Sequence, residues 1–180
     1  MKTITMCGKM NIYQNFLSYM HKWVKEKQPL FETKNPNRIL FISQRKTFTN
    51  FICSEFEQYG IVNYQDITDN NYDLPRLCIQ IESIHKLRSL EYDVVIVDEC
   101  ETILSNFSST TMLRVNECWD VLRQTIQLSK QCIFADAFVM QRTINYITNV
   151  KTSDESILMI HNKKPFLENR KAIQISQHTF

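Results

Sequence analysis

Short, almost unbroken apolar runs recur along this 180-residue chain and limit its fold more than any other feature. Arg38-Ile39-Leu40-Phe41-Ile42-Ser43, Leu77-Cys78-Ile79-Gln80-Ile81, Val94-Val95-Ile96-Val97 and Cys132-Ile133-Phe134-Ala135 are too short for helices and rich in β-branched or aromatic residues. A strand that is apolar at consecutive positions must bury both its faces, which is the condition of a parallel sheet covered on both sides. Between the runs, apolar residues fall at helical spacing. Phe16, Met20, Trp23 and Val24 predict a helix over 11–27. Phe48, Phe51, Ile52 and Phe56 predict the inner face of a helix over 47–59 that stops at Gly60. Met112, Val115, Trp119, Leu122 and Ile126 predict a long helix over 110–128. Briefer helical stretches are expected near 83–90 and 138–147, and further short strands at 157–160 and 172–175. Strand alternating with helix predicts a three-layer α/β/α domain with a mainly parallel sheet.

Composition narrows the function classes. With 43% hydrophobic and 22% charged residues the chain is an ordinary globular domain. Its 21 basic and 19 acidic residues leave a formal charge of +2, so any nucleic-acid site must be a local patch rather than a bulk attraction. No run approaches the roughly 18 apolar residues of a membrane span, and Met1-Lys2-Thr3-Ile4 does not open a secretory signal. The expectation is a soluble, intracellular protein without a membrane partner. Cys7, Cys53, Cys78, Cys100, Cys118 and Cys132 contain no C-x-x-C pair and read as small buried hydrophobes in a reducing compartment. The 2 glycines are too few for a full set of glycine-rich phosphate loops.

In an open parallel sheet, ligands bind outside the carboxyl ends of the strands, so the polar residues that terminate each run carry the functional information. Ser43-Gln44-Arg45-Lys46-Thr47 sets two cations and two hydroxyls at a strand-to-helix junction, suited to gripping phosphates or equally to a solvated helix start with Thr47 as N-cap. Asp98-Glu99 closes the most apolar strand. Adjacent carboxylates there need a cation or a hydrogen-bond network to compensate them, as in the Walker B element of nucleoside triphosphatases; a capping or surface acidic pair is the plainer alternative. Gln80-Ile81-Glu82-Ser83-Ile84-His85 alternates polar and apolar groups as a strand passes into a helix, with His85 most simply a helix-surface histidine. Asp136 follows the strand at Ala135 and is explained as well by helix capping as by chemistry.

Taken in order, these four strand ends resemble motifs Ia, Ib, II and III of the first RecA-like lobe of superfamily 2 helicases. The nearer resemblance is to the DEAD-like helicase domain of the herpesvirus-type replication origin-binding protein family. It rests on Ser43-Gln44-Arg45-Lys46-Thr47-Phe48-Thr49, Gln80-Ile81-Glu82-Ser83-Ile84-His85, the Tyr92-to-Glu99 element, Ile103-Leu104-Ser105-Asn106-Phe107-Ser108-Ser109 and Asp136-Ala137. The resemblance implies a P-loop NTPase type of fold with ATP and Mg²⁺ as cofactors. Asp98 would hold the metal and Glu99 would act on the hydrolytic water. Ser43, Arg45, Lys46, Thr47, Gln80 and Ser83 would line a single-stranded DNA path through backbone contacts, and Asp136 would couple nucleotide state to DNA grip.

The chain departs from that pattern at Cys7-Gly8-Lys9-Met10. A G-x-x-x-x-G-K-[ST] loop cradles phosphates with its amides and lysine and binds Mg²⁺ with its hydroxyl. Here Gly8 and Lys9 stand in the right place, but the upstream glycine is absent and Met10 replaces the hydroxyl. The expectation is therefore a first helicase lobe over 1–156 with an incomplete phosphate loop, and 157–180 as its last strands or the start of a truncated second lobe. Such a lobe would take part in DNA replication, at a nucleus or viral replication site, and would need a second RecA-like lobe, in cis or in trans, for hydrolysis. The competing reading of the same residues is a non-enzymatic α/β interaction or DNA-binding module.

Overall fold

The computed structural model of the protein describes residues 2–6, 38–136, 138–151 and 156–160. The strands are β1 (Lys2–Met6), β2 (Ile39–Ser43), β3 (Val62–Asn63), β4 (Arg76–Gln80), β5 (Val94–Asp98), β6 (Gln131–Ala135) and β7 (Ser156–Ile160). The helices are α1 (Lys46–Glu55), α2 (Cys100–Asn106), α3 (Val115–Leu128) and α4 (Gln141–Val150). The seven strands among the described residues join one sheet in the order β3-β4-β2-β5-β6-β1-β7, and each pairing is parallel.

The apolar runs are unbroken because both sheet faces are covered. Leu40, Ile42, Leu77, Ile79, Val95, Val97, Cys132 and Phe134 point into one core, where they meet Ile103 of α2, Leu122 and Ile126 of α3, and Ile147 of α4. The alternate residues Ile39, Phe41, Cys78, Val94, Ile96 and Ile133 point into a second core with Ile52 of α1 and Phe56 just beyond it. Helix, sheet and helix make the three-layer α/β fold of the RecA-like type expected from the pattern.

Several boundaries move, each for a local reason. The helix expected over 47–59 is α1 followed by a 3-10 turn at Glu57–Tyr59, and Gly60 ends that turn in the left-handed region at φ 67. Phe51, expected inside, is 45% exposed, its ring centroid 6.1 Å from that of Phe48 and the two rings tilted. Thr49, Ile52 and Phe56 carry the buried face instead. The stretch after β4 is a 3-10 segment, Ile81–Lys86. The helix expected from 110 begins only at Val115, because Ser109 accepts from the Thr111 amide at 3.2 Å and Arg114 turns left-handed at φ 54. The last described helix starts at Gln141 rather than near 138.

β1, β3 and α2 are elements that the apolar pattern does not announce. The helix expected over 11–27, the strand at 172–175 and Cys7 lie outside the described residues. Cys78, Cys100, Cys118 and Cys132 are buried and Cys53 is half-buried; none of these five described cysteines is in a disulfide.

Tyr92-Asp93 belongs to the far end of β5 from Asp98 and anchors that strand. Asp93 accepts from the Arg38 amide at 2.7 Å and pairs with Lys130 at 2.6 Å. Tyr92 is buried beneath the Arg38 guanidinium, 4.9 Å from its ring centroid, and burial pushes its phenol up to about 12.

Candidate functional site

Register brings the strand-end residues to one transverse row. Ser43 is level with Gln80 across β2 and β4, and Asp98 is level with Ala135, which is level with Met6. The β2–β5 register, Ile42 opposite Val97, carries Ser43 up beside Asp98. With roughly 4.8 Å between neighbouring strands, the Asp98 and Met6 backbones stand about 10 Å apart. Gly8 and Lys9 lie outside the described residues, following the strand that ends at Met6.

At the basic strand end, Ser43 is fully buried. Its hydroxyl lies 2.6 Å from that of Thr49, and Thr49 donates to the Arg45 carbonyl at 3.1 Å. This buried pair pins the turn, so Ser43 shapes the loop from within. Arg45, Lys46 and Thr47 are exposed on its outer side. Arg45, not Thr47, is the N-cap of α1, and no side chain caps that helix. Two cations and the first amides of a ten-residue helix therefore face solvent together.

Gln80 ties the neighbouring strand end to this loop. Buried at the tip of β4, it donates from Nε2 to the Gln44 carbonyl at 3.2 Å and accepts from the Tyr64 hydroxyl at 3.0 Å. Burial pushes the Tyr64 phenol up, opposed by a hydrogen bond with Ser83, which is half-exposed. Gln80 is thus a strut, and Ser83 lies on its solvent side. His85 packs inward, with Nδ1 3.6 Å from Cys118 Sγ, and the thiol donates to the Glu82 carbonyl at 3.7 Å. Burial, then Arg114, holds His85 below its ordinary value, and burial raises Cys118, so the pair is not an activated thiol.

The acidic centre is the most constrained part of the row. Asp98 is completely buried as the last residue of β5. Glu99 follows in the left-handed region, φ 52 and ψ 44, where an ordinary side chain costs about 1–2 kcal/mol. The strand turns into α2 at this single residue. Strain at one non-glycine residue persists only where its surroundings over-determine it.

Those surroundings are a reciprocal cap. Asp136, after β6, accepts from the Glu101 amide in the first turn of α2 at 3.0 Å and from the Phe138 amide at 3.2 Å. Glu101 in turn caps α4, accepting from the Met140 amide at 2.6 Å, the Thr143 hydroxyl at 2.5 Å and Arg142 Nε at 2.7 Å. Arg142 also donates to the Glu101 carbonyl at 2.7 Å and to Ser105 at 2.6 Å. Burial would raise the Glu101 carboxyl, but the bonds from Thr143, the Met140 amide and Arg142 outweigh it and hold the group below its ordinary value. Asp136 thereby caps the helix that begins directly after Asp98 and Glu99.

The profile of origin of replication binding proteins matches residues 23–177. The chain belongs to this family. A replication origin-binding protein of human herpesvirus 6A is 32% identical over 127 residues, 69% of this chain and 16% of the relative. A candidate replication origin-binding protein of Acanthamoeba polyphaga mimivirus is 30% identical over 145 residues, 73% of this chain and 18% of the relative. A candidate helicase of the same virus, itself uncharacterised, is 26% identical over 162 residues, 81% of this chain and 15% of the relative. The chain therefore spans less than a fifth of the length of these relatives. Among the described residues, no helix of this origin-binding-protein family member is long and apolar enough to cross a membrane.

Glu101, Arg142 and Thr143 are the site residues that motif reading passes over. The one signal in the sequence is a third acid close behind Asp98-Glu99, preceding the apolar pair Ile103-Leu104. Its partners lie 39 to 42 positions downstream and carry no mark of their own.

Proposed function

We propose that this chain is the first RecA-like lobe of a superfamily 2, DEAD-like replication origin-binding protein and acts in DNA replication by holding single-stranded DNA. The observation that carries the reading is the transverse row: basic, amide and acidic strand ends meet on one sheet edge, with Asp136 capping the helix that follows Asp98 and Glu99. Chemistry distributed in that way suits a nucleotide beside Asp98 and a strand along Arg45, Lys46 and Thr47, with Ser83 on the same solvent-facing side as the Gln80 strut.

ATP with Mg²⁺ fits the residues described. Asp98 ends its strand level with the residue that closes β6 and with the end of β1, and Glu99 has its carboxylate on a rigid, strained turn beside it. Bound there, Mg²⁺ would neutralise phosphate charge, with Asp98 holding it and Glu99 orienting the attacking water. Gly8 and Lys9 would supply what remains of a phosphate loop. Its missing glycine and the methionine at position 10 favour a lobe that binds nucleotide weakly and does not hydrolyse it alone. A second RecA-like lobe is the expected partner. DNA contacts made by cations and hydroxyls to the backbone carry no base preference.

Fluorescence anisotropy with a labelled single-stranded oligonucleotide tests the DNA surface. Replacing Arg45 and Lys46 together by Ala should weaken binding and flatten the salt dependence by about 1.4 units of slope, roughly 0.7 for each phosphate that is no longer neutralised. An unchanged slope would remove the assigned surface. Calorimetric titration with ATP and Mg²⁺ tests the acidic centre: binding that is metal-dependent and abolished in Asp98→Asn is expected, and a flat titration of the wild-type chain excludes the nucleotide half of the reading.

A further inference from the structure

α1 presents Thr49, Ile52, Cys53 and Phe56 toward the sheet, at the i, i+3, i+4, i+7 spacing of one helical face. Beneath that face, at the centre of β4, stands Cys78. Its Sγ lies 4.0 Å from the Thr49 carbonyl, one turn before Cys53, and Cys53 packs against the same core cluster that holds Cys78. We propose that Cys53 and Cys78 form a reversible disulfide, an oxidative modification site that locks α1 to β4.

The two sulfurs have unequal surroundings, and that sets the order of events. Cys53 is half-buried and reaches solvent at the flank of α1, whereas Cys78 is completely buried. The neighbouring Cys78 thiol pulls the Cys53 thiol below its ordinary value, and burial pushes Cys78 up. Cys53 is therefore the attacking group toward a peroxide. Its thiolate sulfur attacks one peroxide oxygen, the O–O bond breaks, and the released hydroxide takes up the thiol proton as water. The Cys78 sulfur then attacks the Cys53 sulfur. An S–S bond forms, the S–O bond breaks, and a second water leaves with the Cys78 proton. The product closes a loop over residues 53–78 and ties down the helix that begins at Lys46 with Arg45 as its N-cap. It needs neither nucleotide nor DNA.

The full chain, treated with hydrogen peroxide under native conditions, should lose two hydrogens in mass and yield a Cys53–Cys78 peptide pair in a non-reducing digest. Dithiothreitol should reverse the change, and the oxidised form should melt at higher temperature because its unfolded chain is cross-linked. Cys78→Ala should leave Cys53 as a sulfenic acid that dimedone labels. Cys53→Ser, at the half-buried position, should leave Cys78 reduced. A map in which Cys53 pairs with any other cysteine, in which Cys53 of the wild type takes the dimedone label without pairing, or in which both thiols stay alkylatable overturns the proposal.

Discussion

Replacing Glu101 by Ala tests whether the reciprocal cap holds the acidic centre through its buried hydrogen bonds or through its ion pair. Three donors lose their acceptor. Thr143 is completely buried, so its hydroxyl is left unsatisfied at a cost of about 1–3 kcal/mol. The Met140 amide loses the cap of α4, worth about 1 kcal/mol. The Arg142 side chain is 48% exposed and returns to water, so the ion pair adds no more than about 1 kcal/mol. The expected loss is about 3 kcal/mol, seen as a fall of roughly 6–12 °C in thermal midpoint for a chain of this size. Denaturant titration of wild type, Glu101→Ala, Arg142→Met and the double variant closes a cycle in which the Glu101–Arg142 coupling stays at or below about 1 kcal/mol. A Glu101→Ala loss below about 1 kcal/mol, or a coupling above about 2 kcal/mol, would refute the assignment of the energy to Thr143 and the amide.

Three further outcomes follow from the same geometry. Because the Glu101 carboxyl lies below its ordinary 4.5 in the folded chain, its contribution is fully present above that value and is lost as pH falls through the folded value. The gap in thermal midpoint between wild type and Glu101→Ala should hold steady from about pH 7 to about pH 5 and shrink below about pH 4.5. At the left-handed Glu99, Glu99→Gly should be more stable than Glu99→Ala by up to about 1 kcal/mol in denaturant titration, since only glycine relieves the backbone; equal stability would mean that the turn relaxes. A Cβ at Gly60 would meet nothing within 4 Å, so Gly60→Ala should cost only the backbone penalty, about 1–2 kcal/mol, and Gly60→Asn less, as read by denaturant titration.

The four apolar runs and most of the helices are legible because they are local patterns, set by period and length. The misplacements occur where local chemistry competes with period. Ser109 and Thr111 form their own turn and delay α3, although Met112 keeps its buried place. Phe51 satisfies helical spacing yet stays exposed, since the face that α1 turns to the sheet is carried by Thr49, Ile52 and Phe56. β1 escapes notice because Lys2-Thr3-Ile4-Thr5-Met6 holds only two apolar residues and no apolar run, and its strand character comes from pairing with β6 and β7. α2 follows a strand with a single residue between, a junction that Asp136 makes possible from 35 positions away.

By itself the sequence determined the layers of the fold and the chemistry carried at each strand end, because burial on two faces and helical spacing act over a few neighbouring residues. It marked Arg45, Lys46, Asp98, Glu99 and Asp136 as the residues that carry charge to the sheet edge. Tertiary structure alone decided how they are used. Register set Ser43, Asp98, Ala135 and Met6 in one row, and packing turned Ser43 and Gln80 from surface groups into internal struts. It also made Glu101 the cap of a distant helix. Those outcomes depend on partners dozens of residues apart, and a side chain's burial or its hydrogen-bond partner exists only once the sheet has assembled.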